Sequence, residues 1–138
     1  MASFNKFQPF VENLAEKKID LGGTLKILLS NAAPTATNGQ KSQITEISAG
    51  NGYTAGGPTV TVSSSAQTSG TYKLVCADVT ITASGGIIGP FRTATLYDDA
   101  ATNDELIGAW DYGSSITLAD GESITVDFDG ASGVLTIA

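Results

Sequence analysis

The sequence predicts an all-β protein: an antiparallel β-sandwich, jelly-roll-like or barrel-like, of about eight or nine short strands with an N-terminal α-helix. Three observations predict it. After Gly23 the apolar residues alternate with polar ones instead of recurring at helical spacing. The alternating runs are bounded at fairly regular intervals by Gly, Ser, Asn, Asp and Pro, the residues of turns. Charged residues make up only 15% of the chain, and Thr, Ser, Gly and Asn carry the polar balance, a mix suited to strands and turns.

The 138 residues favour one domain, with a helical segment over 1–22 and a β body over 23–138. In the first segment Phe7, Phe10, Val11 and Leu14 recur at helical spacing. Asn5 and Gln8 resemble a capping box, Phe4 a staple before it, and Pro9 falls in the first turn where a missing amide is tolerated. Gly22 and Gly23 supply the stop, so a helix is expected from about 5 to 19. Such a helix packs on its own domain or docks on a neighbouring subunit.

In the β body, "TLKILLS" places Leu25, Ile27 and Leu29 on one face. "PTVTVSSS" alternates valine with threonine or serine, and "SSSAQTSGT" reads as a turn. In "TYKLVCADVTITA" the parity slips between Leu74/Cys76 and Val79/Ile81, which a bulge near Asp78 would reconcile. "FRTATLYDD" and "ELIGAWDYG" are further strands. "SITLA" alternates Ile116 with Leu118, "ESITVDFDG" turns Ile124, Val126 and Phe128 inward, and "GVLTIA" puts Leu135 and Ile137 on one face.

"GNGYTAGG" carries glycines at 50, 52, 56 and 57 and part of a dinucleotide fingerprint. A phosphate cradle must open a helix, and here a strand pattern follows with no P-loop lysine. The stretch reads as a loop whose glycines and Asn51 take positive φ, with Tyr53 as its anchor.

The net charge of −7 disfavours nucleic acid and anionic membranes. No run is long enough for a membrane span or a signal peptide, so synthesis and folding in a cytoplasm are expected. The chain has no histidine and one cysteine, Cys76, which reads as a core residue; no catalytic residue, cofactor or metal site is assigned. Asp98, Asp99, Asp104 and Glu105 read as a solvated turn, and Asp127 and Asp129 as an outer strand face; their spacing does not match a calcium loop. Arg92, the only arginine, either pairs with a nearby carboxylate or anchors an interface. Trp110 is expected in the core, against an alternative in which Tyr53, Tyr72, Trp110 and Tyr112 form a sugar-stacking platform.

The segments "ITEISAGNGYTAGG", "SGTYKLVCADVTITASGGIIGPFRTATLYDD", "LIGAWDYGSSITLADGESITVDFD" and "GVLTI" occur in that order, after "FNKFQPFVENLAEKKIDLG" and "TLKILLSNAAPT". As an ordered set, spanning nearly the whole chain, they resemble small virion structural proteins of tailed bacteriophages and prophages. Cys76 departs from an aliphatic pattern at its position, and Thr93 stands where an aromatic is common. The resemblance carries no catalytic residues. It implies a capsid decoration or cement protein, made in the host bacterial cytoplasm and carried on the virion surface. Its expected partner is the major capsid protein, and self-association, with a trimer favoured, is expected alongside. A tail or baseplate component and a carbohydrate-binding adsorption module are the alternatives. Phe4, Phe7, Phe10 and Arg92 are the expected partner-binding residues.

Overall fold

The computed structural model describes residues 2–138, and the architecture is mostly β, with antiparallel sheets and one short helix. Strand β1 (Phe4–Lys6) leads into helix α1 (Pro9–Ala15) and strand β2 (Leu25–Ser30). A 3-10 turn at Lys41–Gln43 and a long connection precede the hairpin of β3 (Val62–Thr68) and β4 (Thr71–Cys76). There follow β5 (Val79–Thr82), the long strands β6 (Ile88–Asp98) and β7 (Leu106–Leu118), then β8 (Ser123–Val126) and β9 (Leu135–Ile137). One sheet has the order β1-β7-β6-β2, a second β3-β4-β9, and β5 pairs with β8. All these pairings are antiparallel.

The N-terminal segment departs from the expected helix over 5–19. Its first residues are a strand because Phe4 lays its ring over Gly108 and against Trp110, at 4.9 Å between centroids. A side chain at Gly108 would occupy the place of the Phe4 ring. The Asn5–Gln8 box does not form: the Asn5 amide donates to the Ser3 carbonyl, and Gln8 makes no side-chain cap. Pro9 does occupy the first turn. The helix stops well before Gly22, in a Schellman closure: the amide of Lys18 donates to Asn13 O at 2.8 Å and that of Lys17 to Leu14 O at 3.2 Å. Lys17 takes φ 65°, the left-handed position usually held by glycine, and so hides the stop from a sequence reading.

Leu25, Ile27 and Leu29 face the main core as the alternation requires, together with Phe91, Leu96, Ile107, Trp110 and Val126. Leu28 is equally buried on the opposite face, in a second cluster with Phe7, Tyr97, Leu106 and Ala109. The central strands are therefore covered on both sides, and their apolar runs are continuous there.

Two further expectations are corrected. No bulge joins the halves of "TYKLVCADVTITA": β4 ends at Cys76, β5 begins at Val79 in another sheet, and the Asp78 carboxylate accepts the amide of Phe128 at 2.9 Å across the break. The serine-rich stretch is strand β3, exposed along nearly all its length, and only Ser69 and Gly70 make its turn.

Candidate functional site

The "GNGYTAGG" stretch is a connection between strands, as expected. Gly50 and Tyr53 exchange backbone hydrogen bonds of 2.8 and 3.1 Å around Asn51 and Gly52, both at positive φ. Tyr53 is 2% exposed, and its hydroxyl accepts the Leu29 amide at 3.0 Å and donates to Glu46 Oε1 at 2.8 Å. Gly57, at φ 81°, passes so close to the Ile27 carbonyl that only a residue without Cβ fits. The loop is held to β2 through Tyr53 and Gly57, and through Asn51 to Ile87 and Ser84.

The acidic turn is not uniformly solvated. Asp98 is buried and accepts the amides of Asp20 at 2.8 Å and Ala100 at 3.0 Å; Glu105 is buried and accepts the amide of Asn103 at 3.2 Å. These carboxylates close backbone turns. Asp127 and Asp129 are exposed, and Asp129 accepts the amides of Ala131 and Ser132, which holds its carboxyl below the ordinary value. Among the described residues no group of three or more metal-binding side chains could hold an ion. Cys76 is buried, and burial pushes its thiol up to about 11. Among the described residues no helix is long and apolar enough to cross a membrane.

Arg92 lies on β6, half-buried, and pairs with Asp111 on β7 through Nε–Oδ1 at 2.8 Å and Nη2–Oδ2 at 3.0 Å. Of its two expected roles, the structure shows the carboxylate partner. The pairing register jumps here, from Thr93↔Asp111 to Phe91↔Ile116, so residues 112–115 bulge out of β7.

An apolar groove of about 800 Å³ lies elsewhere, between β1, α1 and β9. Phe4 and Phe10 line it with Val11, Leu14, Leu135 and Ile137. Val11 is 52% exposed and Ile137 42%. The groove is bordered by two edge strands, since β1 is last in its sheet and β9 last in the other. Among the described residues that line it, Lys6 alone is charged. The lining offers contact area and unpaired backbone edges, and little chemistry.

Of the four expected partner-binding residues, Phe4 and Phe10 meet at this groove. Phe7 turns away into the second core cluster, and Arg92 stands apart on β6. In the sequence Val11 and Ile137 stand only as members of apolar stripes; their exposure follows from the short helix and the edge position of β9. Tyr53 and Trp110 are buried, the latter 5% exposed, so the four aromatics do not form an exposed platform.

Compared with models of known families, with curated proteins and with solved structures, the chain matches none.

Proposed function

We propose that this chain is a structural protein of a tailed-phage virion, which decorates and cements the head by binding the major capsid protein. It acts by contact, performs no reaction, and self-associates, with a trimer favoured. Its body is a jelly-roll-like sandwich of the two larger sheets. It is made in the bacterial cytoplasm and ends on the capsid surface. The resemblance of the ordered segments supplies the context for this reading.

The observation that carries it is the groove: an exposed apolar surface between two open strand edges, at the N-terminal segment. Exposed apolar patches mark interaction surfaces, and an open edge accepts an added strand from a partner. A lattice multiplies modest contacts of this kind, because each copy also meets neighbours.

Quantitative protein analysis of purified virions tests the reading. Copies in a fixed, high ratio to the shell protein are expected, together with cosedimentation of the purified chain with empty heads. A few copies per particle would transfer the chain to the tail or baseplate, and absence from virions would end the proposal. Deleting residues 1–20 is not a usable test, since it removes the buried Phe7, Phe10 and Ile19.

A further inference from the structure

We propose that the groove between α1, β1 and β9 receives the Ile87 tip of a second copy of this chain. The inference rests on the reading of the groove as an interface, and it names the occupant.

Three large hydrophobic side chains stand exposed among the described residues. Two of them, Val11 and Ile137, belong to the groove; the third is Ile87, 56% exposed. One molecule thus carries both an apolar recess and an apolar knob, and neither is covered by the described residues.

The knob is held firmly. The Asn51 side-chain amide donates to the Ile87 carbonyl at 2.9 Å, and Ser84 donates to the Asn51 carbonyl at 2.8 Å. The amide of Gly85 donates to Asp120 Oδ1 at 2.9 Å. A tip fixed in this way loses little freedom when it docks.

Charge points the same way. Among the described residues the one charged side chain lining the groove is Lys6, and it makes no ion pair with them. The segment leading to Ile87 is bound to a turn that carries two exposed acids: the amide of Gly85 donates to Asp120 Oδ1, and that of Ala83 to the backbone carbonyl of Glu122. Lys6 at the recess and the two acids on the turn bound to the knob's loop are of opposite sign, on a chain whose net charge of −7 otherwise repels its copies.

The two patches are separate. Ile88, next to the knob, pairs with Leu118, whereas Phe4 pairs with Trp110. That interval on β7 places knob and groove up to roughly 26 Å apart at the usual rise of a strand. Each copy can therefore give its knob to one neighbour and take another's in its groove, a head-to-tail contact that closes a ring where the rotation between copies permits.

Sedimentation velocity on the purified full chain and two surface variants, Ile87→Asp and Val11→Asp, tests the contact. The wild-type chain is expected to form an oligomer that weakens as salt rises. Each variant should remain folded by circular dichroism and sediment as a monomer. Mixed, the two should form a dimer and nothing larger, because one knob and one groove remain intact between them. A monomeric wild type, a variant that assembles like wild type, or a mixture that stays monomeric would overturn the proposal. Cosedimentation with empty heads separates this outcome from the function: a monomeric wild type that still binds heads loses the knob-and-groove contact and keeps its shell role.

Discussion

Arg92 and Asp111 form a two-point ion pair across β6 and β7, and it sits at the mouth of the bulge formed by residues 112–115. Asp111 Oδ1 also accepts the Gly113 amide at 2.9 Å, so one carboxylate joins the neighbouring strand to the inside of the bulge. The hydrogen bond from Arg92, then that from Gly113, holds the Asp111 carboxyl below its ordinary value of 3.8. A lowered acid stabilises the fold above that ordinary value and loses the contribution as pH falls through the folded value. Arg92→Ala is expected to return Asp111 toward 3.8 in a carbon-detected NMR titration, with broadened signals confined to residues 112–115. Because the pair is partly exposed, the loss of global stability should be small.

Gly57 and Gly50 should respond differently to alanine. Both hold positive φ, 81° and 129°, so each substitution meets backbone strain. A Cβ at Gly50 meets open space, while one at Gly57 falls on the Ile27 carbonyl and forces the loop away from β2. Gly57→Ala is expected to cost on the order of 3 kcal/mol or more in denaturant unfolding, and clearly more than Gly50→Ala.

Tyr53→Phe should isolate the loop's buried hydrogen bonds. Removing the hydroxyl leaves the Leu29 amide without its acceptor inside the protein, at a cost of about 1–3 kcal/mol. In the wild-type chain, burial raises the Tyr53 and Tyr97 phenols far above the ordinary 10.0. A raised phenol favours the folded state below the ordinary value and loses that advantage as pH climbs toward the folded value. Ultraviolet difference titration should therefore show these two tyrosines ionising together with alkaline unfolding.

The N-terminal phenylalanines divide by depth. Phe7→Ala should lower unfolding stability by about 3–5 kcal/mol, because it empties a site shared with Leu28, Tyr97 and Leu106. Val11→Asp, on the exposed side of α1, should change the stability of the dilute monomer by no more than about 0.5 kcal/mol. Thermal and urea unfolding of the two variants separates the structural part of this segment from its contact surface.

Strand alternation was legible wherever one face meets the core. Leu25, Ile27 and Leu29, and later Val126 and Phe128, lie inside as their spacing required. So did the loop role of "GNGYTAGG", since glycine and Asn51 mark positive φ locally. Contacts between distant parts of the chain were not legible. Phe4 reads as a helix staple until Gly108 and Trp110 are seen beneath it. Lys17 conceals a helix end because the surrounding turn, rather than its own preference, imposes φ 65°. The serines of β3 resemble turn residues because that strand is exposed along nearly all its length. The groove was half visible: the phenylalanines drew attention to the segment, but Val11 and Phe10 look alike in sequence, and only the packing decides which one faces water.

The pairing of Phe4–Lys6 with Gly108–Trp110 also orders events during translation. Phe4–Lys6 leaves the ribosome long before its partner strand is made. Until then Phe4, Phe7 and Phe10 have no Trp110, Leu106 or Ile107 to cover them. The nascent chain therefore carries an uncovered apolar segment until β7 emerges, and the same phenylalanines that seal the finished molecule are what a ribosome-associated chaperone would grip.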